Sequence, residues 1–416
     1  MRVSFLDKLS WKMSEVYASV TDRILINLAK YFPFIKSPDQ IQSAFKFMAD
    51  KLTKMSDIIQ ETIGIIAEGL SGADEALGSV MEQSVSDALK TEEPKYQKAV
   101  QQGFLPNMHP PEPKPRQTQA YQKSYGEAAE KLNHVNSVML ESTEQAYRAT
   151  VSDITAKIAQ TQNILDMAVE ETNSGVATWN KAMRDAVQKM VENGLTGFVD
   201  HGGHKWSPEA YAAMVIRTEM FNASREAVWE RAEQYGNDIY QVSSHNAARP
   251  LCYPWQGKLI SRTDNARDVK DFEGNTVHVY AQSKTTYGQP AGLFGINCKH
   301  YPMVFIPGFS TLKGEPQPEE ENMKAYEESQ RQRYLERRLR EEKRDLEVLK
   351  AQGADAAMLR EQRQKIAEAS SAIAIFCEET GRTRDRSRET APVIATWPGE
   401  DGEKVQRFGG EYIEAP

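Results

Sequence analysis

Two of the chain's three cysteines and three of its seven histidines fall between Gln241 and Gly308. Cys298 and His300 are two residues apart, so on an extended segment both side chains leave from one face. Cys252 or His245, upstream, would complete a set of thiolate and imidazole donors suited to the tetrahedral geometry that Zn²⁺ prefers. The set has neither the Cys-x-x-Cys nor the closely spaced His pair of common zinc modules. Other readings therefore stand beside the metal. The cysteines are also what small buried apolar side chains beside hydrogen-bonded histidines look like, and they would suit a Cys252–Cys298 disulfide formed outside a reducing cytoplasm. A thiol nucleophile would pair Cys298 with His300, or Cys252 with His245, and would require hydrogen-bond reach and an oxyanion hole. Neighbours on one face of an extended segment are poorly aimed for that. No cofactor is expected, with zinc as the candidate if one is held.

The string Gly292-Leu-Phe-Gly295 lacks both phosphate-loop patterns, and no parallel βα unit surrounds it. Its glycines are better suited to tight turns and close backbone approach. Arg217 and Glu219 lie on an expected helix but two apart, so they do not face each other. Arg217 is placed to reach from that helix to the Cys/His segment, and Arg249 is read as structural too, though either could take an acidic partner. The basic run Arg331 to Arg344 carries Glu336, Glu341 and Glu342 as neighbours and reads as a solvated helix face. Arg382, Arg384, Arg386 and Arg388 alternate with small polar residues and have fewer acidic neighbours. They are candidates for non-specific contact with nucleic-acid phosphates.

At 416 residues the chain has room for two or three domains. A net charge of −8 argues against a surface devoted to nucleic acid. Three widely spaced cysteines make no disulfide framework, which points to synthesis in a reducing cytoplasm. The N-terminus has no signal-peptide pattern. The apolar run Ile24–Ile35 is broken by Lys30 and Pro33 and is too short for a bilayer, so no membrane association is expected.

Around the chemistry-bearing segment the chain reads as mostly α with a small α+β module. Residues 1–104 are expected to be helical, with Ile58, Ile59, Ile63 and Ile66 spaced for one face. The proline-rich stretch 105–117 predicts an extended spacer. Long helices are expected over 118–236, interrupted near Asn173-Ser-Gly175 and by a turn at His201–Trp206. Pro208 suits a first helical position after Ser207, and Gly236 a helix end. Four short runs, 239–243, 257–261, 276–280 and 303–306, predict the strands of a module at 237–310. After a linker at 311–318, Leu335, Leu339, Leu346 and Leu349 face Leu359, Ile366 and Ile373 across a hairpin at 319–389, turning at Gln352-Gly353. A poorly ordered tail is expected at 390–416.

Three strings carry a resemblance: His245-Asn-Ala-Ala-Arg-Pro250, Trp255-Gln-Gly-Lys258 and Gly295-Ile-Asn-Cys-Lys-His300. With the lead-in containing Arg217-Thr-Glu219 and the later hairpin, they resemble the minor capsid protein 2 family of tailed phages. That family is similar in turn to MuF-type head-morphogenesis proteins. In this setting Arg217, Glu219, Arg249, Trp255, Gly257, Gly295 and Asn297 read as structural motif residues. MuF-type relatives often carry paired cysteines at the first motif, whereas here Cys252 is followed by Tyr253-Pro254. The resemblance implies a structural protein of the virion, made in the host cytoplasm and acting in head assembly at or near the portal vertex. Its implied partners are the portal, other capsid proteins and, non-specifically, packaged DNA. It supplies no catalytic residue, and the chain is not expected to be an enzyme. The alternative is a zinc-dependent or thiol hydrolase housed in the 237–310 module.

Overall fold

The structure, a computed structural model, describes residues 3–160, 173–193, 198–199, 205–206, 208–389, 405–406 and 412–413. In chain order the helices are α1 (Val3–Ala29), α2 (Gln40–Thr53), α3 (Met55–Gly69), α4 (Ala73–Gln101), α5 (Gln119–Gln160), α6 (Asn173–Asn193), α7 (Pro208–Gln234), α8 (Glu319–Ala351) and α9 (Ala356–Thr380). Between α6 and α7, β1 (Phe198–Val199) pairs antiparallel with β2 (Lys205–Trp206). Between α7 and α8 come β3 (Ile239–Val242), β4 (Leu259–Ser261), β5 (Arg267–Lys270), β6 (Thr276–Ala281) and β7 (Pro302–Val304). The chain is thus mostly α with a small α+β module. Of the turn expected at His201–Trp206, residues 201–204 lie outside the described residues and Lys205–Trp206 form β2; the Ser207 cap and nearly all of the tail from 390 also lie outside the described residues. Two compact units form, one from residues 1–13, 73–132 and 213–331, the other from residues 14–72, 133–212 and 332–416. Each unit is assembled from three separate stretches of chain, so compact units and sequence segments do not coincide.

The first unit holds the strand module. Its sheet has the order β5-β6-β4-β3-β7, with β4 and β6 parallel and the other pairs antiparallel. Because strand side chains alternate, Ile239 and Leu259 go to one buried cluster with Val279 and Phe305. Tyr240, Val242 and Ile260 go to another with Trp229, Cys252, Leu293, Phe294 and Cys298. The sequence reading misses β5. Val269 is the single apolar residue in Arg267–Lys270, as suits an edge strand that discourages pairing with other chains. Helices α4 and α7 pack through Ala88, Tyr96, Val228, Ala232 and Tyr235, and the Tyr96 and Tyr235 rings stack at 4.6 Å. Buried Arg231 grips Glu93 with two nitrogens, each at 2.6 Å. It also donates to the Pro111 carbonyl at 3.0 Å. The proline-rich stretch is therefore fastened rather than a free spacer: prolines lack an N–H but keep a carbonyl, and a guanidinium has donors to spare.

Asp238, one residue before β3, accepts hydrogen bonds from Ser261, Thr263 and Arg267, with the Arg267 Nη2 contact at 2.6 Å. Burial alone would raise its carboxyl, but the Arg267, Ser261 and Thr263 hydrogen bonds outweigh burial and hold it at about 2, against 3.8 ordinarily. A depressed carboxylate contributes stability above its unfolded pKa and loses it as pH falls through the folded value. On acidification from about pH 5 to pH 2 the wild type should lose about 1–2 kcal/mol that Asp238→Asn does not. Urea unfolding across that interval checks this, and parallel losses in both proteins would refute it.

In the second unit, Leu335, Leu339, Ile366, Ile373 and Cys377 pack together between α8 and α9. Val348 is fully buried there, while Leu346, Leu349 and Leu359 are half-buried. The turn comes at Gln352-Gly353, with Gly353 at φ +79°. Asp355 then caps α9 by accepting from the Ala357 and Met358 amides. Gln352 is buried and donates to the Phe32 carbonyl at 3.0 Å.

Candidate functional site

The chemistry-bearing residues sit on two loops of the strand module. The first, residues 243–258, joins β3 to β4; the second, residues 282–301, joins β6 to β7. In the first, the Cys252 amide donates to the Arg249 carbonyl at 2.9 Å, and a short 3-10 turn, Tyr253–Trp255, follows. In the second, a Cβ on Gly292 would stand 2.0 Å from the Thr286 carbonyl oxygen, and one on Gly295 2.5 Å from those of Gln289 and Pro290. Here the glycines serve close backbone approach, as their pattern suggests. Phe294 and Asn297 have φ of 59° and 57°. Asparagine tolerates that conformation, but for phenylalanine it is strained and must be held by its surroundings.

These loops bring Cys252, Cys298 and His300 together. The two sulfurs lie 3.9 Å apart, and His300 Nδ1 is 3.3 Å from Cys298 Sγ. The three candidate ligand atoms all fall within 4.8 Å of one another. All three residues are buried, at 1%, 5% and 3% exposure respectively, and the cysteines are free. The His245 ring stacks on that of His300 with centroids 4.2 Å apart. His245 Nδ1 donates to the Asn246 carbonyl at 2.9 Å, and the Nε2 atoms of both histidines are buried without a hydrogen-bond partner among the described residues. Burial, with His300 alongside, pushes His245 down to about 4, so the ring is neutral near pH 7. The cysteines titrate as a pair. The hydrogen bond from Cys252, with His300 beside it, draws Cys298 well below the ordinary thiol range, and Cys252 rises correspondingly. The Phe294 amide also donates to Cys298 Sγ, at 3.2 Å, as a thiolate would require.

Three arginines fasten the loops. Arg249 donates to the Ile296 carbonyl at 2.7 Å and the Gly292 carbonyl at 3.1 Å, and it approaches Cys252 Sγ at 3.7 Å. Arg217 reaches from α7 to Asn297 Oδ1 at 3.2 Å, the helix-to-module tether expected from sequence. Arg225 was not singled out as a site residue. It is buried, donates to the Phe294 carbonyl at 3.1 Å and to Asn222 at 2.6 Å, and lies over the rings of Trp229 and Phe294. A signal for it existed: Arg217, Phe221, Arg225 and Trp229 recur every fourth residue and so share one face of α7. Glu219 points elsewhere and pairs with Lys131 at 2.6 Å. Trp255 packs edge-on against Tyr280, and Gly257 adopts φ +74°.

The arginine-rich segment after α9 belongs to the second unit and makes contacts within it. Arg384 forms a two-pronged ion pair with Glu389 and donates to Ser370, Arg382 donates to Gln332, and Arg388 lies 3.4 Å from Asp385. Arg386 stands at the start of a short 3-10 turn.

Fold and site together define a helical scaffold carrying a small sheet module whose Cys/His cluster is sealed between two loops. Residues 3–378 match the family described as Phage minor capsid protein 2, and the chain belongs to that family. It is therefore a phage structural protein, a minor component of the capsid. Over 180 residues it is 32% identical to a protein named "Structural protein" from Lactococcus phage LL-H; the match spans 43% of this chain and 47% of that relative. No solved structure matches it. Among the described residues, no helix is long and apolar enough to cross a membrane.

Proposed function

We propose that this protein is built into the virion, after synthesis in the host cytoplasm, and acts in head assembly at or near the portal vertex. The portal and other capsid proteins are its partners, met by the helical surfaces. The observation that carries a structural rather than a chemical role is the sealing of the Cys/His cluster. A hydrolase housed in residues 237–310 would need a path from solvent to sulfur or metal, and three side chains at 5% exposure or less argue against one. The test is quantitative mass spectrometry of purified particles, normalised to the portal protein. A copy number at or below that of the portal is expected. Absence from mature particles, with presence in the lysate, would overturn the reading.

Contact with packaged DNA belongs to the same proposal in a reduced form. Arg384 is committed to Glu389, and Asp385 stands beside Arg388, so the segment presents fewer net charges than its four arginines suggest. Changing Arg382, Arg384, Arg386 and Arg388 together to Gln should therefore flatten the log–log salt dependence of DNA binding by roughly 2 rather than 4. Identical binding by both proteins across a salt series would remove DNA from the list of partners.

A further inference from the structure

We propose that Cys252, Cys298 and His300 bind one structural zinc ion, with His245 as the fourth ligand, and that this ion cross-links the β3–β4 loop to the β6–β7 loop. The argument is first geometric. With zinc–sulfur bonds of about 2.3 Å, the sulfur–sulfur edge of a tetrahedron is about 3.8 Å; with a zinc–nitrogen bond of about 2.05 Å, the sulfur–nitrogen edge is about 3.6 Å. The observed edges are 3.9 Å between the sulfurs and 3.3 Å between Cys298 Sγ and His300 Nδ1. Two sulfurs and two imidazoles are also a donor set that selects zinc over harder cations.

The surroundings add an independent argument. Metal-bound histidine donates its other ring N–H to a carbonyl or carboxylate. The Nε2 proton of a His300 bound through Nδ1 has no acceptor among the described residues, whereas His245 already does this, giving its Nδ1 proton to Asn246 and leaving the lone pair of a buried Nε2 without a partner. Such an atom carries a desolvation cost that a metal bond would remove. His245 is not among the residues whose ligand atoms fall within 4.8 Å of one another, so filling the fourth position requires its side chain to move from where its ring lies against that of His300. The Phe294 amide and Arg249 point donors at the two sulfurs, which compensates the negative charge of a dithiolate site. Any thiol proton that zinc displaces leaves to solvent, and the bound centre is neutral, two thiolates against one divalent cation. With His245 in the fourth position the ion has no open coordination site and serves stability rather than catalysis.

The experiment uses the full chain, purified under reducing conditions from zinc-supplied cells, with metal content measured by plasma mass spectrometry. Equimolar zinc is expected, lost in Cys252→Ser and Cys298→Ser and retained in Cys377→Ser, whose thiol lies between α8 and α9. Because the serine variants can fail to fold, the wild type is also stripped of metal and titrated with Co²⁺. A thiolate-to-cobalt charge-transfer band with a tetrahedral ligand-field spectrum is expected. His245→Ala should weaken zinc affinity by about tenfold or more while keeping the charge-transfer band; unchanged affinity would overturn the fourth-ligand assignment. Folded wild type that takes up neither ion, or metal-free protein carrying a Cys252–Cys298 disulfide, would overturn the site.

Discussion

Arg225→Ala should destabilise the strand module by about 3 kcal/mol, a large effect for a residue that forms no close ion pair within its helix. The substitution leaves the buried Phe294 carbonyl and the half-buried Asn222 side-chain oxygen without their donor. It also empties the space where the guanidinium lies 5.0 Å from the Phe294 ring centre and 5.3 Å from that of Trp229. Opposing this, a buried cation is removed, and burial already pulls the Arg225 guanidinium below its ordinary range. The relief is smaller than the loss, because one buried unsatisfied acceptor at about 1–3 kcal/mol, plus a cavity, outweighs it. Phe294 would also be freed from its strained backbone conformation, so the damage should appear as faster hydrogen exchange in residues 290–300. Arg225→Lys should recover little, since an ammonium cannot span two acceptors while stacking between rings. A urea midpoint for Arg225→Ala within error of wild type would show that the contact is incidental.

Gly292→Ala should cost about 3 kcal/mol or more and disorder the second loop. The added Cβ would stand 2.0 Å from the Thr286 carbonyl oxygen, and that oxygen has nowhere to go. Thr286 is pinned on both sides, donating through its hydroxyl to the Leu251 carbonyl at 2.8 Å and accepting from the Leu293 amide at 2.9 Å. Moving Gly292 instead would break its carbonyl's bond to Arg249. Gly288→Ala is the informative control. Gly288 has φ +85° but open space around it, so its alanine should cost only about 1 kcal/mol of backbone strain. Equal losses in the two variants would mean that conformational freedom, not close approach, is what Gly292 provides.

Much of this protein was legible from local pattern. Helical periodicity located the hairpin, because Leu335, Leu339, Ile366 and Ile373 recur at the spacing that one buried seam demands. Four of the five strands were legible from β-branched and aromatic runs between turn residues. The edge strand Arg267–Lys270 escaped, since its exposure removes the apolar alternation that marks a strand. The proline-rich stretch was rightly read as neither helix nor strand through Lys114. Its attachment to Arg231 was not legible, because a backbone carbonyl's partner leaves no mark in the residues that carry it.

The same division runs through the site. Residue types and spacing alone set Cys298 and His300 two apart, suited Gly292 and Gly295 to close backbone approach, and offered Arg217 as a bridge from helix to module. Local order also carries the family resemblance that the match over residues 3–378 bears out. Tertiary structure alone decided that Cys252, 46 residues away, would come within 3.9 Å of Cys298, and that Arg225 rather than a neighbouring cation would be buried against Phe294. It likewise turned Arg384 inward to Glu389. The physical reason is range: propensity and periodicity act over a few residues, whereas a buried charge or sulfur is partnered by whatever the folding of distant loops sets beside it.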